Sequence, residues 1–200
     1  VTISIDLIKE LRDRTGAGIL ACREALEETN GDLEKAVALL RERGLAAAAK
    51  RADRETHDGV LDLYNHGDGR VGVIVEVNCE TDFVARTEEF RHFAHEMALQ
   101  IAATSPHWIR VEDIPEAVIE EERQNARIWA RESGKPENVI ERIVEGRLGK
   151  FYDDNCLLRQ PYIRDDAKTV DELLKEMIAA TGENVAIRRF VRWTVGEELE

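Results

Sequence analysis

The stretch Val71-Gly72-Val73-Ile74-Val75-Glu76-Val77-Asn78-Cys79-Glu80-Thr81-Asp82-Phe83-Val84-Ala85 changes apolar period in mid-course. Val71, Val73, Ile74, Val75 and Val77 read as a strand. Beyond Asn78 the period returns to 3.6, and Phe90, Phe93, Ala94, Met97 and Ile101 share one helix face behind a Thr87 cap. Ser105-Pro106 breaks that helix. Upstream, Val60, Leu61, Leu63 and Tyr64 form an earlier strand, and Asn65-His66-Gly67-Asp68-Gly69 is the turn between the two. A hairpin followed directly by a long amphipathic helix points to an antiparallel sheet with helices packed on it.

Toward the N-terminus three short helices are expected. Ser4 caps the first, Leu7, Ile8 and Leu11 share a face, and Gly16 stops it. The second runs from about Ile19 to Thr29 with Cys22, Ala25 and Leu26 inward, and Asn30-Gly31 ends it. Asp32 caps the third, whose stripe is Leu33, Ala36, Val37 and Leu40 and whose stop is read at Gly44. Leu45 to Arg51 is a helical linker. Toward the C-terminus, a helix from Pro115 to about Glu132 and another from Pro136 to about Tyr152 flank Gly134-Lys135-Pro136, as in an antiparallel helical hairpin. Thr169-Val170-Asp171-Glu172 is a capping box opening a helix through Ala180, with Gly182 as its stop. A last strand spans Val185 to Val195. The expectation is an α+β fold: a three-helix bundle with its linker over residues 1–55, and a core of small antiparallel sheet and helices over 56–200, with the hairpin at about 115–152.

The 200 residues carry 28 basic and 41 acidic side chains, a net charge of −13. That balance argues against a nucleic-acid binder, whose affinity for phosphates comes from Lys and Arg. Residues 1–55 hold 10 basic and 11 acidic groups and so are nearly neutral. Three cysteines without a C-x-x-C suggest reduced thiols in a cytoplasmic protein. No run is apolar enough for a membrane span, and no signal peptide is expected.

Catalytic motifs are thin. Gly67-Asp68-Gly69-Arg70-Val71-Gly72 spells G-x-G-x-x-G, yet a strand follows it where a dinucleotide site needs a helix. His92 and His95 lie three apart on a helix but fit no zincin pattern, so no metal is assigned. Ser4, Ser105 and Ser133 sit at helix boundaries, and Glu120-Glu121-Glu122 reads as a solvated face. In the corner after the second strand, the residues alone make Thr81 an N-cap, Asp82 a first-turn acid and Phe83 part of the core.

Several segments together resemble the elongation factor Ts family. They are Leu7-Ile8-Lys9-Glu10-Leu11-Arg12 with Thr15-Gly16-Ala17-Gly18, then Asn78 through Ala85, then Gly134-Lys135-Pro136, Val144-Glu145-Gly146-Arg147-Leu148, and Gly182-Glu183-Asn184 with Ile187-Arg188-Arg189. The likeness covers essentially the whole chain. It implies a ubiquitin-associated-like N-terminal bundle and a guanine-nucleotide exchange factor for elongation factor Tu, in its GDP-bound and nucleotide-free forms. Such a factor has no covalent chemistry and no cofactor. The residues matching the family's central motif are Thr81, Asp82, Phe83 and Val84. Asp82 and Phe83 would enter the GTPase near its Mg²⁺ site, framed by Thr81 and Val84, which makes Phe83 an exposed wedge. Each core signature occurs once, as in the short bacterial form that pairs into homodimers; Val185, Ile187, Phe190, Val191 and Trp193 of the last strand are the expected contact. Gly149 departs from the family pattern, where a second basic residue often precedes the Lys-Phe pair. Two other readings stand beside this one: a helical protein-binding adaptor without exchange activity, and a nucleotide-binding oxidoreductase built on Gly67–Gly72.

Overall fold

The computed structural model describes residues 3–198. In chain order the elements are α1 (Ile5–Thr15), α2 (Ile19–Glu28), α3 (Leu33–Ala49), β1 (Asp58–His66), β2 (Val71–Cys79), α4 (Asp82–Ala85), α5 (Glu88–Thr104), α6 (Glu116–Glu132), α7 (Glu137–Asn155), β3 (Pro161–Tyr162), β4 (Asp165–Thr169), α8 (Val170–Thr181) and β5 (Val185–Thr194). A three-stranded antiparallel sheet has the order β1-β2-β5, and β3-β4 form a second, two-stranded antiparallel sheet. The fold is α+β.

Two compact units divide the chain. The first takes the residues up to Asp62, then Glu76–Ala94 and Glu172–Ile187. The second takes Leu63–Val75, His95–Asp171 and the residues from Arg188 onward.

In the first unit, α1–α3 close on Leu11, Cys22, Ala25, Leu26, Ala36 and Leu40. The caps act as the sequence suggests. Ser4 Oγ accepts from the Leu7 amide at 3.2 Å, Asp32 Oδ1 accepts from the Lys35 amide at 3.1 Å, and Gly16 ends α1 in the left-handed region. Gly44 differs from expectation. It lies inside α3, which runs on to Ala49 without a break. A Cβ at Gly44 would come within 3.1 Å of the Ala179 Cβ, so the glycine serves close helix packing instead of termination. Gly59 meets a harder constraint: a Cβ there would lie 2.2 Å from the Val77 carbonyl oxygen.

In the second unit, α6 and α7 form the helical hairpin, zipped by Ala126, Ala130, Ile140, Val144 and Leu148. Arg127 forks onto Glu141 at 3.0 and 3.1 Å across it. The β3-β4 ribbon has no apolar alternation to announce it. Buried amides and a buried carboxylate hold it instead. The Ile163 amide donates to Gln100 Oε1 at 2.9 Å, and Gln100 Nε2 donates to the Pro161 carbonyl at 3.1 Å. Glu96, 3% exposed, accepts from the Tyr162 hydroxyl and from Arg164, whose Nη2 lies 2.9 Å away. The turn between β1 and β2 has positive φ at Gly67, Asp68 and Gly69. It is a hairpin turn running straight into a strand, so the glycine pattern is not a dinucleotide site.

Candidate functional site

β2 is the middle strand, and Val77, Asn78 and Cys79 at its end are all buried. The chain must then leave the sheet within three residues to begin a helix. Cys79 Sγ donates to the Thr81 carbonyl oxygen at 3.2 Å. Thr81 is extended, at φ −131° and ψ 154°, and its Oγ1 faces the Val84 amide at 3.5 Å as the N-cap of α4. The helix is a single turn. Thr87 then takes over: its hydroxyl donates to the Val84 carbonyl at 2.8 Å and accepts from the Phe90 amide at 3.3 Å, which starts α5.

This double capping fixes which side chains face outward. Ala85 is 6% exposed and seats the turn. Thr81 and Val84 are half-buried. Phe83, two residues before Ala85, is 81% exposed, the highest value among the large hydrophobic side chains described. Asp82 stands beside it with its side chain 46% exposed, and its Oδ2 accepts from Arg86 Nη2 at 2.8 Å. The residue-only reading of Phe83 as core is therefore wrong. A helix of one turn has too little surface to bury both Ala85 and Phe83.

A second loop holds the corner from the far end of the chain. Glu183 Oε2 accepts from the amides of Glu80 and Thr81 at 3.1 and 3.0 Å, and its Oε1 accepts from the Thr81 hydroxyl at 2.6 Å. Glu80 answers in kind: its Oε1 accepts from the Asn184 amide at 2.6 Å. Asn184, 5% exposed, donates from Nδ2 to the carbonyls of Ala52 and Arg54 at 3.2 and 2.7 Å. Thus Glu80, Glu183 and Asn184 belong to the site's framework. Glu183 and Asn184 lie in a segment that resembles the family, but no local pattern ties them to residues a hundred or more positions away.

Burial, reinforced by the Glu183 carboxylate, pushes the Cys79 thiol up to about 11, so it is a neutral thiol near pH 7. His92 is exposed, whereas His95 is half-buried and packs edge-on against Tyr64 at 5.8 Å. Among the described residues no group of three or more His, Cys, Asp or Glu could hold a metal ion. No described helix is long and apolar enough to cross a membrane.

A family model described as elongation factor TS matches residues 24–197. An elongation factor Ts of Caldanaerobacter subterraneus subsp. tengcongensis is 60% identical over 198 residues, 99% of either chain. One from Thermoanaerobacter sp. (strain X514) is 58% identical over 99% of this chain and 97% of its own. One from Thermosipho melanesiensis is 54% identical over 98% of this chain and all of its own. With the strand-to-helix corner in place and near full-length identity of this order, the chain belongs to the elongation factor Ts family of translation elongation factors.

Proposed function

We propose that this protein is a guanine-nucleotide exchange factor for elongation factor Tu, acting in the cytoplasm without covalent chemistry. The observation that carries the reading is the exposure of Phe83 on a corner pinned at both ends. An exchange factor must bind the nucleotide-free GTPase better than the loaded one, and by linkage it and GDP then weaken each other by the same factor. Phe83 is the wedge: a rigid aromatic that fills a pocket on the partner and displaces elements there. Asp82 is the carboxylate that disturbs the Mg²⁺ holding the phosphates. Thr81 and Val84 frame the pair, Thr81 by capping α4 and Val84 from the first turn. Both outward side chains are offered by a backbone already in its final shape, so little ordering cost is met on binding.

The N-terminal bundle supplies a docking module on the helical linker, with its near-neutral charge suited to a protein contact. The active species is a homodimer. Leu63, Val191, Trp193 and Val195 are 69%, 43%, 66% and 66% exposed, an apolar sheet face of the kind a second copy covers. Val185 and Ile187, also expected at that contact, are 2% and 3% exposed and are already used within the chain's own core. On β5 the contact therefore narrows to the second half of the strand, together with Leu63 of β1 and Val195.

Release of labelled GDP from elongation factor Tu, with and without this protein, tests the reading. Acceleration that saturates with factor concentration supports it. Binding without acceleration would favour the adaptor alternative.

A further inference from the structure

We infer that Glu183 is a positioning residue for exchange: it holds the Thr81–Phe83 corner in its partner-ready shape from the opposite end of the chain. The inference rests on the exchange reading above and deepens it.

Three donors converge on this one carboxylate. Two are consecutive backbone amides, Glu80 and Thr81, both on Oε2, and the third is the Thr81 hydroxyl on Oε1. Consecutive amides pointing at one acceptor need a bent backbone, and that bend sets where α4 begins. Without the acceptor these amides, at the buried end of β2, would have to find water or turn away. The Thr81 hydroxyl has two jobs: it donates to Glu183 and its oxygen faces the Val84 amide as the N-cap. Fixing the hydroxyl thus fixes the cap, and the cap fixes the direction of Phe83.

The arrangement is reciprocal. Glu80 Oε1 accepts from the Asn184 amide at 2.6 Å, so each loop supplies the acceptor for the other's backbone. Asn184 is in turn tied to the linker through the Ala52 and Arg54 carbonyls. Glu183 follows Gly182, which takes the left-handed φ of 74° that ends α8. The end of α8 therefore aims the half-buried Glu183 side chain at the corner.

Glu183 needs its acceptor geometry here more than its charge. Glutamine keeps a carbonyl oxygen for the two amides, and its NH₂ can donate to the Thr81 oxygen once that hydroxyl rotates. Alanine leaves all three donors without a protein acceptor.

The test uses the full chain and two variants, Glu183→Ala and Glu183→Gln, with Phe83→Ala as a control. Amide hydrogen exchange of the free protein is measured first, because it reads the corner without any partner. Glu183→Ala should speed exchange at Glu80, Thr81 and Val84 by about ten-fold or more, the scale of losing hydrogen bonds to a charged group, with the α6–α7 hairpin amides unchanged. GDP release should then show a raised half-saturating factor concentration with the maximal rate largely kept, and Glu183→Gln should restore both readouts. Unchanged amide exchange at residues 80–84 in Glu183→Ala overturns the clamp. So does faster amide exchange there with normal GDP release, provided Phe83→Ala is defective. If Phe83→Ala also releases GDP at the parent's rate, the Phe83 wedge fails while the amide data still judge the clamp on their own, and the exchange reading itself fails only if the parent does not accelerate release.

Discussion

The Thr81 hydroxyl donates to Glu183 Oε1 at 2.6 Å across 102 residues of sequence, and this bond joins the start of α4 to the loop after α8. The site is thus assembled from two distant loops, while the side chains it displays, Asp82 and Phe83, come from one.

Phe83→Ala should leave the protein folded. A core phenylalanine cut to alanine costs about 3–5 kcal/mol, but Phe83 is 81% exposed and loses little on truncation. Its cost should fall on the partner instead. Removing an aromatic anchor from a filled pocket weakens binding by about 2 kcal/mol or more, roughly thirty-fold. Calorimetric melting together with titration of nucleotide-free elongation factor Tu separates the two: an unchanged melting temperature with weakened binding is expected.

Asp82→Ala should slow GDP release more than it weakens binding to the nucleotide-free GTPase. The carboxylate already has Arg86 at 2.8 Å in the free protein, so its removal disturbs only an exposed pair worth well under about 1 kcal/mol to the fold. Lowering free Mg²⁺ should narrow the gap between Asp82→Ala and the parent, because the metal is then already loosened. Stopped-flow release over a Mg²⁺ series checks this; a gap independent of Mg²⁺ would sink the metal role.

Trp193→Glu should convert the dimer to monomer. Trp193 is 66% exposed in the single chain, and a charge beside Val191 would oppose burial of that face. Sedimentation at micromolar concentration should give a dimer for the parent and a species near 22.7 kDa for the variant. A parent that already sediments as a monomer refutes the expectation.

Stability should fall on the alkaline side. Burial raises the Cys79 and Cys156 thiols from 9.0 to about 11. Burial, and then the Glu96 carboxylate, raises the Tyr162 hydroxyl from 10.0 to about 12. For each group the folded state keeps a proton that the unfolded chain gives up first, so the stabilisation is full below the unfolded value and is lost as pH rises through the folded one. Denaturant midpoints should be flat up to about pH 9 and then fall between pH 9 and 12. Tyr162→Phe should make that fall shallower above pH 10 and end it near pH 11, where the thiol contribution is complete.

What could be read from the sequence follows from where the information is local. Ser4, Asp32 and Thr87 signal caps within three residues of the amides they satisfy, and all three act as expected. The buried stripe Phe90, Phe93, Ala94, Met97 and Ile101 repeats at helical spacing, and all five are 3% exposed or less. Gly44 misled because a glycine that stops a helix and one that lets another helix approach look alike until Ala179 is placed against it. The β3-β4 ribbon was invisible because its order comes from Gln100 and Glu96, some sixty residues earlier. At the Thr81–Val84 corner the Thr81 cap is legible from the residues alone, but the exposure of Phe83 follows only from the family resemblance, because the tendency of large apolar side chains to lie inside puts Phe83 in the core. Glu183 as its support could not be seen at all before the two loops were brought together.

The central claim is that a pre-shaped corner at Asp82 and Phe83 drives nucleotide release, and GDP release from elongation factor Tu by the parent and by Phe83→Ala tests it most directly. Both proteins are taken at matched, subsaturating concentration, after melting curves have shown that both are folded. The parent should accelerate release strongly, and Phe83→Ala should be slower by roughly thirty-fold at equal concentration. A folded Phe83→Ala that releases GDP as fast as the parent would contradict the account.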